Sequence, residues 1–274
     1  MIATIEILRP ANGLMALTGF VIGAVLLGLP LAPIPSQMLI GALVIFLISG
    51  AGMVLNDYFD WQIDRINRPY RVIPSGRMTL SGAMNYAVAL YGVSVALSFI
   101  CLPFAMSAVI LLNAGLTAVY SWKLKKTAVG HLAVSWLAAS VFVLASIMTG
   151  NFGIITTILF ALIFCGNMAR EIMKGVEDYK GDKAAGARTL AVTLGMDVSS
   201  WIAIMFLFLS LSILPLPYVL RISGAGYALL GAAAAALLGW SAYMLLKNKA
   251  GKAQLAVKWA MTATLAGLIL GMFF

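Results

Sequence analysis

Residues 54–78 read VLNDYFDWQIDRINRPYRVIPSGRM. This stretch gathers Asp57, Asp60, Asp64, Arg65, Arg68, Arg71 and Arg77 in a chain otherwise built from Leu, Ala, Ile, Val and Gly. The surroundings decide the fold class. Of the 274 residues, 62% are hydrophobic and 10% charged, and the mean hydropathy is +1.02. A soluble domain carries about 25% charged residues, so this composition cannot cover a water-facing surface. The apolar runs are long and unbroken rather than alternating, which predicts membrane helices and excludes a barrel.

Nine spans are expected, at roughly 11–29, 37–59, 82–101, 104–122, 129–149, 152–172, 198–218, 224–246 and 254–273. Spans 3 and 4, and spans 5 and 6, are joined by tight hairpins. The N-terminus has no basic region before its first apolar run and carries Glu6, so that run reads as a retained span and not a signal peptide. Cys101 and Cys165 both fall inside apolar runs and point to neither a disulfide framework nor a metal site.

The net charge of +9 would suggest nucleic acid in a soluble chain. Here 17 of the 18 basic residues fall in the N-terminal segment and alternate connections, and only Arg221 falls on the other side. The basic excess is therefore a topology signal matched to anionic lipid headgroups, with no nucleic-acid partner. It places the N-terminus and the motif-bearing loops in the cytoplasm. Nine spans then place the C-terminus outside.

The acids need another explanation, because they contribute little to orientation. All nine lie on the predicted cytoplasmic side, and seven fall in two clusters, residues 57–64 and 171–182. Asn56, Asp60 and Asp64 recur at intervals of four, which on a helix is one stripe of oxygen ligands. Asp178 and Asp182 form a second pair with the same interval, just beyond span 6. Facing stripes of this kind would repel without cations between them. Oxygen ligands without neighbouring His or Cys suit Mg²⁺ or Mn²⁺. Arg68, Arg71, Lys174 and Lys180 are then placed to clamp phosphate oxygens. The pattern predicts a metal–diphosphate site at the mouth of an apolar cavity.

The motifs resemble those of the UbiA-type intramembrane prenyltransferases. NDYFDWQIDRINRP is similar to the family's NxxxDxxxD signature, and EDYKGDKAAGARTL to its second DxxxD motif. ILRPANGLM (7–15) resembles its RPxN element, and YSWKLKKTAVGHL (120–132) its Tyr-then-Lys-Lys connection. The resemblance covers most of the chain. It implies a single domain over 1–274, with nine helices around a lateral cavity in an isoprenoid-synthase-like bundle. It also implies transfer of a prenyl chain from a polyprenyl diphosphate donor to a lipid-like acceptor.

Within the family, REIMKGVEDYKGDKAAGARTLAVTLG and DRINRPYRVIPSGRM are most similar to the archaeal ether-lipid branch. That likeness implies geranylgeranyl diphosphate as donor and the free hydroxyl of geranylgeranylglyceryl phosphate as acceptor. Chlorophyll synthases share a similar first loop, so a chlorophyllide or aromatic acceptor stands as the alternative. A transporter is more remote, because the acids sit at one face and not at the midplane.

In this reading Asn56, Asp60 and Asp64 hold one metal, and Asp178 and Asp182 another. Asp57 orients a base or takes a proton. Arg9, Asn12, Tyr120, Lys123, Lys125 and Lys126 hold the acceptor or line the site. The chain departs from the family pattern at Thr189–Ala191, TLA where TLP is common. It departs again at Gly130-His131, where Gly-Asn is expected. His131 reads either as an interfacial hydrogen-bonding substitute or as an acceptor-side base.

Overall fold

A computed structural model describes residues 2–30 and 32–274. Long helices follow from the sequence because a backbone in lipid must satisfy its hydrogen bonds within its own segment. They are α1 (Pro10–Leu26), α2 (Ser36–Asn67), α3 (Leu80–Cys101), α4 (Phe104–Trp122), α5 (Ala128–Thr149), α6 (Ile154–Glu177), α7 (Met196–Ile213), α8 (Ala225–Leu246) and α9 (Ala250–Leu270). A short helix, Leu216–Val219, continues α7.

Among the described residues, eight helices are long and apolar enough to cross a membrane. The expected count of nine is one too high by that measure. The helix that falls short is α1, with 17 residues. It starts at Pro10, whose ring suits a first helical turn. At about 1.5 Å per residue it reaches roughly 25 Å, against about 30 Å of hydrocarbon. The hairpins are as tight as expected: Leu102 and Pro103 link α3 to α4, and residues 150–153 link α5 to α6.

Two helices outrun their expected spans: α2 carries the first motif, and α6 ends just before the second. Helix α2 has 32 residues. About 20 suffice for the hydrocarbon, so counting from Ser36 leaves Asn56 to Asn67 beyond it. Helix α6 has 24 residues, and the same count leaves Lys174 to Glu177 beyond the apolar stretch. Continuous helix thus carries the first oxygen stripe out of the apolar layer without a break.

The chain divides into two compact units, residues 1–123 with 144–151 and residues 124–143 with 152–274. In the first unit, α2 packs against α1, α3 and α4. Gly52 permits the α2–α4 approach, since a Cβ there would overlap the Thr117 methyl; small residues serve this purpose in membrane bundles. Ile7, Val54, Leu55, Val72, Ile73, Ala83 and Ala87 form one buried cluster. Val72 and Ile73 belong to the loop after α2, so their burial pins that loop to the helices. Each such side chain contributes about 1.5–3 kcal/mol on burial.

In the second unit, α6 packs against α7 and α9, and α8 packs against α9 and α7. The segment entering α5 approaches closely: a Cβ at Gly130 would overlap the Leu124 carbonyl oxygen. Backbone cannot yield as a flexible side chain does. Gly130→Ala is therefore expected to cost about 1–3 kcal/mol, read as a lower melting midpoint in detergent. An unchanged midpoint would mean that the 124–130 turn relaxes freely.

Candidate metal and diphosphate site

The first motif stands as the spacing predicts. Asn56, Asp60 and Asp64 lie on the continuous α2. Asn56 and Asp60 are partly buried, and Asp64 is buried at 5% exposure. Asp57 is buried as well, at 4%. Buried carboxylates require cations or hydrogen bonds, and two arginines provide them. Arg71 pairs with Asp64, and its NH1 also lies 3.3 Å from Asp57 Oδ1. Arg9 pairs with the same Asp57 oxygen. Burial lowers the Arg9 guanidinium from its ordinary value, against the opposing pull of Asp57.

This network gives partners to two residues that the sequence reading placed in other roles. Arg9, expected at the acceptor, is engaged by Asp57. Asp57, expected to handle a proton, is held between two guanidinium groups. Arg71 reaches both acids because the 68–77 loop turns tightly: Arg71 N donates to Arg68 O at 3.0 Å, and Ser75 N to Arg71 O at 2.9 Å. Gly76 supplies a left-handed φ of +76° at its end. Arg77 adds a forked pair to Glu6 at 2.5 and 2.8 Å. That hydrogen bonding holds the Glu6 carboxyl below the usual carboxylate range. The loop is thus tied to the segment before α1.

Asn12 donates to Met53 Sδ at 3.4 Å. Lys123 stands 4.0 Å over the Trp122 ring. Tyr120 is partly buried near the end of α4, and Arg68 is exposed at the end of α2.

In the second unit, α6 ends at Glu177 and a short helix, Tyr179–Ala184, follows. Asp178 sits at the junction. The four-residue interval survives it, because Asp182 N donates to Asp178 O at 2.9 Å. Asp182 Oδ2 accepts from Thr189 Oγ1 at 3.2 Å, and Ala187 N donates to Asp182 O at 2.9 Å. Gly186, at φ +68°, lets the chain reverse there. Arg188 N then donates to Lys126 O at 2.7 Å, and Ala128 N to Arg188 O at 3.0 Å. This parallel bridge joins the Lys125–Lys126 connection to the loop after the second motif. Sequence spacing placed both segments near the site but did not reveal that they pair.

Glu171 is the residue that sequence reasoning counted but left without a role. It is buried at 7% exposure. Its Oε1 accepts from Lys174 Nζ at 2.6 Å and from Arg170 NH1 at 3.0 Å. Lys174, expected on the diphosphate, is therefore engaged by Glu171. Lys180 is exposed on the short helix. The signal for Glu171 was present, since a carboxylate inside an apolar run is a functional candidate by default.

Among the described residues, no three His, Cys, Asp or Glu side chains converge on one point. The donor set still fits a hard cation. Asn56, Asp60 and Asp64 can each offer a side-chain oxygen from one helix, and Asp178 and Asp182 can do so in the other unit. Mg²⁺ is usually held by one or two carboxylates plus substrate phosphates, not by an all-protein cage. Arg71 already supplies positive charge at Asp64.

Residues 16–268 match the UbiA prenyltransferase family. The chain belongs to the UbiA prenyltransferase family. It is therefore a prenyltransferase and a multi-pass membrane protein. The digeranylgeranylglyceryl phosphate synthase of Methanothermobacter thermautotrophicus is 37% identical over 247 residues, covering 89% of this chain and 85% of that protein. That of Thermococcus sibiricus is 36% identical over 277 residues, covering 97% and 96%. A solved structure of a digeranylgeranylglyceryl phosphate synthase superposes with a TM-score of 0.78 at 29% identity, over 98% of this chain and 97% of that one. A UbiA homologue from Archaeoglobus fulgidus, solved with GPP and Mg²⁺, shares the fold at a TM-score of 0.68 and 16% identity, over 96% and 99%.

Proposed function

We propose that this UbiA prenyltransferase moves a geranylgeranyl group from geranylgeranyl diphosphate to the free hydroxyl of geranylgeranylglyceryl phosphate. The observation that carries the reading is near-full-length similarity, at 36% identity, to a relative named for that product. One prenyltransferase domain across 1–274, with the N-terminus and motif loops in the cytoplasm, accompanies it. The basic residues of alternate connections support that orientation.

Asn56, Asp60 and Asp64 would hold one Mg²⁺, and Asp178 and Asp182 another; Mn²⁺ would fit the same oxygens. Bound there, the metal would neutralise charge on a diphosphate leaving group. The chain's own residues do the rest. Arg68 and Lys180 are exposed beside the two motifs and would donate to diphosphate oxygens. Arg71 fixes Asp64 and Asp57, so the carboxylate stripe is set before substrate arrives. Pre-set charges need no reorganisation as the allylic carbon–oxygen bond breaks. Apolar helices shelter the allylic cation from water. The acceptor oxygen then bonds that carbon, and the diphosphate released from the broken carbon–oxygen bond takes the hydroxyl proton and departs.

The test is a transfer assay on the purified protein with Mg²⁺ and geranylgeranyl diphosphate. Geranylgeranylglyceryl phosphate, 4-hydroxybenzoate and a chlorophyllide serve as parallel acceptors. Product on the glycerol phosphate alone is expected. Product only on a ring would overturn the acceptor while keeping the family.

A further inference from the structure

The apolar part of α6 carries ionisable groups that neither carboxylate motif uses. Arg170 and Glu171 precede Asp178 by two helical turns, within the first 20 residues of a 24-residue helix. Ionisable groups at membrane depth are rare and costly. Glu171 Oε1 takes both Arg170 and Lys174, so two cations share one carboxylate and one positive charge is left over. Arg170 Nε is buried without a hydrogen-bond partner.

His131 lies in the same unit, at the start of α5, with 8% exposure. Its Nε2 is also buried without a partner. The imidazole edge sits over Gly175, next to Lys174; a Cβ at 175 would already touch Cε1 at 3.4 Å. Glu171, Asp182 and Lys174 are the charges that act on the ring. The helix behind it is braced. Ser135 Oγ donates to His131 O at 2.7 Å, and Asn167 Nδ2 donates to Ser135 Oγ at 3.3 Å. Buried N–H groups are almost always paired in folded proteins, so the His131 orphan beside Lys174 points to a ligand.

We propose that His131 and Lys174 form an anion subsite that takes the phosphate of the acceptor, and that Arg170 sets it by holding Glu171. A phosphomonoester offers three strong acceptor oxygens. The Lys174 ammonium binds them by charge-assisted bonds, and His131 donates from its Nε2–H tautomer. Glu171 orients that ammonium. The net charge of the cluster suits one phosphomonoester better than a diphosphate, which needs metal to balance it. The inference rests on the proposed reaction and moves Lys174 from the donor to the acceptor.

The experiment compares two acceptors, geranylgeranylglyceryl phosphate and its phosphate-free alcohol, on full-length wild type, His131→Ala, His131→Gln and Arg170→Met. Losing one bond to a charged group is expected to cut the preference for the phosphorylated acceptor by about tenfold. The KM for the donor stays unchanged. Gln, which keeps an N–H, restores part of the preference. Tryptophan-fluorescence titration with geranylgeranylglyceryl phosphate, without donor, should show the same weakening in each variant that retains the wild-type melting midpoint. Equal losses on both acceptors, or a raised donor KM with the preference intact, would overturn the subsite. Wild type that transfers to neither glycerol acceptor would instead overturn the proposed reaction, and the subsite with it.

Discussion

Asp60→Asn is expected to abolish prenyl transfer, and Asp182→Asn to do the same, while both variants remain folded. Each change replaces a charged oxygen pair by a neutral amide of nearly equal volume. Neither amide opens a cavity. Asp60 stands on a continuous helix where Asn is only a modestly poorer helix former. At position 182 an amide oxygen can still accept from Thr189 Oγ1. The chemistry has every reason to object, because each stripe would lose a carboxylate from its cation site. Losing one such electrostatic stabiliser costs at least about 10²-fold in kcat. The measurement is product formation across a Mg²⁺ titration, paired with the melting midpoint of each variant. Near-normal turnover at saturating Mg²⁺ would sink the two-stripe reading. Loss of activity together with loss of folding would show that the residue is structural.

How much could be read beforehand divides along physical lines. The hairpins at 102–103 and 150–153 were legible because Pro and Gly punctuate runs whose length the bilayer dictates. The first stripe was legible because a four-residue interval on a helix specifies one face. The partners of those acids were not. Arg71 lies seven residues from Asp64, on a loop whose course depends on Val72 and Ile73 sinking into a core with Ile7 and Ala83. An apolar pair inside a polar loop was the available clue. Arg9 is 48 residues from Asp57, and no local pattern announces such a pairing. The same holds for the bridge between Thr127 and Arg188. Spacing names which residues share a face, while tertiary packing decides which charge answers which.

Arg71→Met is expected to destabilise the fold even with no substrate or metal present. Asp64 is 5% exposed, and Arg71, whose side chain is 14% exposed, is its ion-pair partner. Removing one member of a buried pair strands the other, at a cost of about 3–5 kcal/mol. Asp57 suffers less, because Arg9 still holds it. The melting midpoint in detergent should therefore fall by several degrees. A second change separates this cause from simple loss of packing. Asp64→Asn removes the stranded charge, so the double variant Arg71→Met/Asp64→Asn should regain much of the midpoint while staying inactive. Arg77→Met provides the contrast. Its pair with Glu6 has side chains 40% and 34% exposed, and pairs in that setting contribute little. If Arg71→Met melts like Arg77→Met, or if Asp64→Asn brings no recovery, the buried network is not what holds the first motif in place.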